Sequence, residues 1–415
     1  MILRKCRGCN ASELEIFLDL GFSPISNDFL ESKEEESVLY PLVILVCKTC
    51  EFLQLSEVHE QEIHFNKIYP YFSRNSKTWV NHCYLNSTTL FERFCLNKND
   101  LVIEIASNDG TYIQNFLNLG LKVLGIEPSA NVAEVSIKNR IPTRIEFFSK
   151  EMAFRLREEG FSPKLIVGNN VLAHVPNIVD FLSGISILLS ADSAAVIEFP
   201  HATQMILNNQ FDTVYHEHYS YLNLHSLIPI FDKVGLEVFD VEEHSLHGGS
   251  LRIFLQVSGG HRNVENSVER ILRFEKQFSP LSLRVREEFR RKQADVIRDL
   301  KHKLNVYKKM GFRVVVFGAA AKGTTLLNVA KIDSSLIDYA VDSSEAKQGR
   351  WIPGTGIEIM HPNELKQNPA DVILILAWNF AEEIIKQIQS DLPVPQIYLI
   401  PIPTVLEIFE NQELS

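Results

Sequence analysis

LVIEIASNDGTYIQNF, residues Leu101–Phe116, begins as a strand-length apolar run, passes through a polar turn carrying one glycine, and ends on helical apolar spacing. The same succession recurs downstream, where LKVLGIE (Leu121–Glu127), LIVGNN (Leu165–Asn170) and AAVIEF (Ala194–Phe199) are separated by helical patterns. Strands alternating with helices predict a doubly wound α/β unit with a mostly parallel sheet. Ligands of such sheets bind outside the carboxyl ends of the strands, so chemistry is expected there.

Those ends carry a specific set of groups. The first turn supplies Glu104, Ser107, Asn108, Asp109 and Gly110, and the second strand ends in Glu127-Pro128. A glycine-bearing turn lets a cofactor approach the backbone, and an acid at the end of strand two can accept both hydroxyls of a ribose. Alone, that pair fits either a nicotinamide dinucleotide or S-adenosylmethionine. A pyrophosphate needs the G-x-G-x-x-G turn on a helix N-terminus, whereas Asn108 and Asp109 suit an amino-acid moiety and oppose phosphate. The balance favours S-adenosylmethionine over a nicotinamide-dependent oxidoreductase.

A second α/β unit opens with FRVVVFGAAAKGTTLLNVA (Phe312–Ala330) and continues through IDYAVDSS and DVILILAW. Here the turn holds Gly318, Ala320, Lys322, Gly323 and Thr324, whose amides and lysine can meet a diphosphate. Lys322 precedes the second glycine, so the turn is no Walker loop. Asp342, ending the next strand, can take a sugar hydroxyl. Between the units, residues 261–310 read as charged amphipathic helices.

The N-terminal region is organised differently. Cys6-x-x-Cys9 and Cys47-x-x-Cys50 are two pairs at metal-ligand spacing, which predicts a tetrahedral zinc site of four thiolates. Four thiolates leave no open position, so the zinc is expected to be structural. Cys83 and Cys95 fall in apolar surroundings and are expected to be inert core residues. The expected domains are therefore 1–68 (zinc module), 69–260 (cofactor unit), 261–310 (helical connector) and 311–415 (second α/β unit).

Composition excludes several classes. The 415 residues carry a formal charge of −11, so nucleic-acid binding through phosphate neutralisation is not expected. The longest apolar runs, Leu42–Val46 and Val372–Trp378, are far too short to cross a bilayer. With no export signal at the start, a cytoplasmic location is expected.

Tyr69-Pro-Tyr-Phe-Ser73, EIASNDGTYI, GIEPSANVA, Asn169-Asn170-Val-Leu-Ala-His174, YHEHYSYL (Tyr215–Leu222), HGGSLR from His247, and FGAAAKGTTLLN, together with the cysteine pairs, span nearly the whole chain. In that order and spacing they resemble the sugar-nucleotide C-methyltransferases of deoxysugar biosynthesis. The resemblance implies a zinc-binding module, a central S-adenosylmethionine domain to which Asn169 and Asn170 also contribute, and a C-terminal unit holding a sugar nucleotide, typically dTDP-linked. It implies methylation at C3, next to a C4 ketone, of a nucleotide-linked keto-deoxysugar.

Carbon methylation needs a carbanion, and the accessible one is the enolate formed by removing a proton beside a ketone. That requires a base near neutral pKa and a donor for the enolate oxygen. Within Tyr215-His216-Glu217-His218 the resemblance points to His218 as base, with Tyr215 and Glu217 lining the pocket. An extended stretch would put Tyr215 and Glu217 on the face opposite His218, so a turn must intervene if the three converge. His174 is placed to steady the enolate oxygen, and Tyr69 to close the pocket from the zinc-module side. His247, beside two glycines, is expected to approach the substrate.

Overall fold

The computed structural model of the protein describes residues 4–58 and 69–409. Strands β1 (Leu14–Pro24), β2 (Leu39–Cys47) and β3 (Leu53–Leu55) form an antiparallel N-terminal sheet. Its alternating burial along β2 is the period-2 pattern of a sheet with one face on the core.

The central sheet is built from β4 (Leu101–Ile105), β5 (Lys122–Ile126), β6 (Thr143–Arg144), β7 (Leu165–Asn169) and β8 (Ala194–Pro200), all parallel. The residues Val102–Ile105 are all buried, as expected of a parallel strand covered by helices on both faces. The two-residue strand β9 (Ser220–Tyr221) leaves this unit and pairs with β3 of the N-terminal sheet. Strands β10 (Leu236–His244) and β11 (Ser250–Val257) complete the sheet, giving the order β10-β11-β8-β7-β4-β5-β6 with β11 antiparallel to both neighbours. Their connection turns at Gly248 and Gly249, with φ of +89° and +117°. A Cβ at either would lie within 3.0 Å of Gln210 or Gln204, so both the conformation and the space require glycine.

Helices Asn266–Gln277 and Leu283–Lys309 form the connector, the second laced with exposed i,i+4 ion pairs such as Lys292–Glu288. The C-terminal sheet contains β12 (Val314–Phe317), β13 (Tyr339–Val341), β14 (Trp351–Ile352), β15 (Ile357–Met360), β16 (Val372–Ile375), β17 (Ile397–Ile400) and β18 (Leu406–Phe409). Its order is β14-β15-β13-β12-β16-β17-β18, parallel except at the two edge strands.

The N-terminal module does not stand apart. Phe17 of β1 stacks on Phe289 of the long helix with ring centroids 5.7 Å apart. Phe17, Leu42 and Ile44 share one core with Val314, Leu326 and Leu374 of the C-terminal unit. Truncating so enclosed a ring as Phe17 costs about 3–5 kcal/mol. On the other side Cys6, Cys47, Cys50 and Phe52 pack in a core with Ile230 and Phe231 of the central unit. The expected boundary at 68/69 abuts residues outside the described ones, and strand pairing through β9 crosses it. Cys83 is buried and inert, burial pushing its thiol up, but Cys95 is exposed at a left-handed turn with φ of +49°. That corrects the reading of Cys95 as core: the helix Lys77–Arg93 has ended, and the chain is turning at the surface toward β4.

Candidate active site

The carboxyl ends of the central and C-terminal sheets open onto one cavity of about 530 Å³. All five residues expected to do chemistry line it: Tyr69, His174, Tyr215, Glu217 and His218. Asn108, Glu127, Pro128, Asn169 and Asn170 line it from the cofactor side, and Gly318, Ala320, Lys322 and Asp342 from the second unit.

The YHEH stretch achieves this convergence with a turn. The His218 amide donates to the Tyr215 carbonyl at 3.0 Å, which folds Tyr215 and His218 onto the same side. Their rings lie 4.0 Å apart, with the Tyr215 hydroxyl 2.7 Å from His218 Nε2. His218 Nδ1 is 3.0 Å from the Thr213 carbonyl oxygen, which can only accept. Nδ1 therefore carries the proton and Nε2 holds the lone pair, to which the Tyr215 hydroxyl donates. His174 meets the His218 ring edge-on with centroids 4.7 Å apart. A ring N–H of His174 donates to the Glu217 backbone carbonyl, and burial lowers its pKa to about 4, so it is neutral near pH 7.

Glu217 is the group whose state responds to pH. Burial raises its carboxyl to about 7, partly opposed by Asn27, whose Nδ2 lies 2.7 and 2.9 Å from the two carboxylate oxygens. Asn27, in the N-terminal module, gives no sequence signal of its own; only the fold brings it here. Burial also holds the phenols of Tyr69 and Tyr215 well above the usual range, so both remain hydroxyl donors.

At the cofactor edge, Glu127 accepts the amides of Asn108 (2.9 Å) and Ser129 (2.8 Å). Asn169 Nδ2 and Asn170 Oδ1 are buried, on residues lining the cavity, with no hydrogen-bond partner among the described residues. Such groups call for a polar ligand, and an amino-acid moiety with an adenosine fits them. Asn108 does more than the sequence suggested. Its side chain accepts the Ser73 amide (2.9 Å) and donates to the Tyr71 carbonyl (3.1 Å), while Asn131 clamps both sides of the Tyr69 backbone. The Tyr69–Ser73 segment is thereby strapped across this edge.

Other expected cofactor residues frame the turn without lining the cavity. Glu104 accepts the Ile113 amide at the start of a helix, burial pushing its carboxyl far up. Asp109 is taken by Arg74 (2.8 Å) and Thr111 (2.5 Å). Gly110 has φ of +80° and a Cβ there would meet Ile141 at 2.5 Å, while Ser107 lies against Gly125. On the second unit, Gly323 is where Leu376 packs against the helix, and Thr324 donates to the Ser26 carbonyl. The His247 side chain lies outside the described residues; its glycine neighbours line a separate cavity of about 430 Å³, not the main one.

The second unit's turn carries a partly buried lysine. Lys322 Nζ stands 4.4 Å over the Trp378 ring, its pKa lowered by burial to about 8, so it stays mostly protonated at neutral pH. Trp378 Nε1 donates to Asp212 at 2.6 Å, joining this turn to the residue just before Thr213. Thr325 donates to the Val214 carbonyl at 2.9 Å, a second tie to the histidine turn. Asp342 accepts the amides of Ala319 and Ser344 (2.8 Å each) and pairs with Lys347 at 3.1 Å.

The metal site is a fourth element. The four sulfurs of Cys6, Cys9, Cys47 and Cys50 lie within 4.8 Å of one another, with Cys6–Cys50 and Cys9–Cys47 each at 3.6 Å. Zn–S bonds of about 2.3 Å in a tetrahedron set sulfurs about 3.8 Å apart, so the cluster fits zinc. Each pair closes in the same way, with the amides of left-handed Asn10 and Glu51 returning to the Cys6 and Cys47 carbonyls at 2.9 Å.

Comparison with known proteins follows the same division. Residues 6–65 match a zinc binding domain family, 83–241 a methyltransferase domain, and 245–403 the C-methyltransferase C-terminal domain. Among solved structures, a SAM-dependent methyltransferase from Anabaena variabilis (16% identity, TM-score 0.34) covers 48% of this chain and 100% of its own. Magnesium protoporphyrin IX methyltransferase from Synechocystis with bound SAM (13%, TM-score 0.33) covers 48% and 89%. These two likenesses are too slight to carry a functional argument. The C-methyltransferase NovU of Streptomyces niveus is 30% identical over 412 residues, 96% of this chain and 95% of that protein. A likeness running end to end through all three regions places this protein in the C-methyltransferase family, as a methyltransferase dependent on S-adenosylmethionine and carrying a zinc-binding module.

Proposed function

We propose that the protein methylates C3 of a nucleotide-linked 4-keto-6-deoxysugar, with His218 as the base. The observation that carries this reading is the His218 tautomer: Nδ1 is committed to the Thr213 carbonyl, which leaves Nε2 as a basic lone pair on the cavity wall. Bound S-adenosylmethionine supplies an electrophilic methyl group on its sulfonium. His218 Nε2 takes the C3 proton and the C–H electron pair passes into an enolate on the C4 oxygen; C3 of that enolate would accept the methyl group as the C–S bond breaks and its electron pair leaves on S-adenosylhomocysteine. The Tyr215 hydroxyl covers Nε2 until the sugar displaces it. The Tyr69 phenol, kept uncharged by burial, is the donor available to a developing enolate oxygen, while the single ring N–H of neutral His174 is held by the Glu217 carbonyl.

The nucleotide is assigned to the second unit. Lys322 and the first-turn amides of the helix Ala321–Ala330 would meet its diphosphate, and Asp342 a sugar hydroxyl; a dTDP-linked substrate in a cytoplasmic enzyme is the reading we adopt. An adenosylmethionine methyltransferase of some other small ketone would not need a cationic turn on a second α/β unit, which favours the sugar nucleotide. The test is incubation with S-adenosylmethionine and dTDP-4-keto-6-deoxyglucose, followed by mass spectrometry and carbon NMR of the product. A new methyl carbon bonded to C3 is expected. A methyl on oxygen, or no product from any nucleotide-linked ketosugar, would overturn the assignment.

A further inference from the structure

The closed zinc site has no open position for chemistry, yet one of its residues reaches the active site. Arg7 lies inside the Cys6-x-x-Cys9 turn, and its guanidinium reaches the central unit. Nη1 donates to the carbonyls of Val175 (3.1 Å) and Pro176 (2.9 Å). Nη2 donates to the Ser220 hydroxyl (2.7 Å) and to the Tyr219 carbonyl. Val175 directly follows His174, and Tyr219 directly follows His218. One side chain therefore joins the two segments whose histidine rings meet at 4.7 Å.

Each segment is short, with the Leu55 amide also meeting the Tyr219 carbonyl at 3.0 Å and the Ala202 amide the Leu222 carbonyl at 2.9 Å. His174 ends a three-residue 3-10 turn, and beyond His218 the ladder consists of the two residues of β9. Arg7 bonds to both segments at once, and a planar guanidinium is suited to bridging four separate acceptors. Arg7 is itself held at its backbone, its amide donating to Gln54 Oε1 at 2.8 Å, and Gln54 faces Ser220 across the β3–β9 ladder. Gly8 allows the turn to press on Ile230, where a Cβ would lie at 2.8 Å.

We infer that Arg7 is a positioning residue through which the zinc site sets the relative placement of His174 and His218. Zinc bound by the four thiolates would hold the turn, and the Arg7 guanidinium pins the backbone after each histidine. This inference rests on the assignment of those histidines above. A displacement of about 1 Å in a reacting group can cost about 100-fold in rate, so loosening this bridge affects turnover more than ligand binding.

The experiment compares Arg7→Met, Arg7→Lys and His218→Ala in the full chain with dTDP-4-keto-6-deoxyglucose. Zinc content, S-adenosylmethionine affinity by calorimetry, kcat and KM, and the ring Cε1 resonances of labelled histidines are measured for each. Arg7→Met should keep one zinc per chain and cofactor affinity within about twofold, while kcat falls about 10- to 100-fold and KM changes little. Arg7→Lys, with fewer donors, should lie between it and the wild type. The His174 and His218 resonances should move in both variants while those of distant histidines stay. If Arg7→Met does not fold, Arg7→Lys decides alone. Wild-type kcat with unmoved resonances in a folded Arg7 variant overturns the inference, as does a kcat loss that merely follows zinc loss. Full activity in His218→Ala would instead remove the base assignment, and the resonance shifts would still test Arg7.

Discussion

Glu127 and Asp342 occupy equivalent positions in the two α/β units, and the difference between them bears on the proposed division of two ligands between one fold used twice. Each follows the second strand of its sheet. Each accepts the amide of the turn after strand one, Asn108 for Glu127 and Ala319 for Asp342, and the amide two residues on, Ser129 and Ser344. Beyond that shared frame the surroundings diverge. Glu127 has Asp109 and Glu104 near it, and burial raises its pKa without a paired cation to oppose it. Asp342 is paired with Lys347, and Lys322 stands on the same cavity wall. The proposed function assigns a cationic cofactor to the first edge and an anionic nucleotide to the second. The histidine turn lies between them, tied to the second unit through Thr325 and Trp378.

This comparison implies that binding divides between the edges while chemistry sits at the turn, which can be broken in three ways. The largest effect belongs to His218→Ala, which should lower turnover by about 10²- to 10⁴-fold and leave the affinities for both ligands within about twofold by calorimetry. A loss of affinity comparable to the loss of rate would mean that His218 belongs to an edge. Next come Glu127→Ala and Asp342→Ala as a pair. The first should weaken S-adenosylmethionine by about 1.5–3 kcal/mol with sugar-nucleotide affinity unchanged, and the second should weaken only the sugar nucleotide. Crossed or equal effects would erase the distinction between the edges.

The smallest functional change is expected of Glu217→Gln, whose signature is in stability. Glu217 has a folded pKa of about 7 against an unfolded value near 4.5, so the folded state binds its proton more tightly. That contribution is complete below pH 4.5 and is lost as pH rises through 7, by up to about 3 kcal/mol. Thermal unfolding should therefore find Glu217→Gln stabilised relative to wild type at pH 8, with the gap closing toward pH 5. A gap that does not change with pH would show that Glu217 titrates normally.

Much of this architecture was legible locally. Strand-length apolar runs ending in Glu127 or Asp342, and two cysteine pairs, are short-range signals of parallel sheets and a metal site. The need for a turn in YHEH followed from side-chain alternation alone. What stayed hidden was long-range. Asn27, Arg7, Asp212 and Trp378 are ordinary residues in sequence, and their roles arise from contacts with partners more than a hundred residues away. The two-residue strand β9 is too short for periodicity to reveal, yet it joins the zinc module to the histidine turn. Asp109 and Glu104 look like ligand groups because their types suit one, and what sequence alone does not show is that they also frame the turn, through Arg74 and the Ile113 amide.

The central claim is that His218 makes an enolate at C3, and it can be tested without methyl transfer. The protein is incubated with dTDP-4-keto-6-deoxyglucose in deuterated water, with S-adenosylhomocysteine in place of the methyl donor, while the sugar C3 proton is followed by NMR. Enzyme-dependent loss of that signal, absent in His218→Ala, is the predicted result. Retention of the C3 proton by a folded protein that binds both ligands would contradict it.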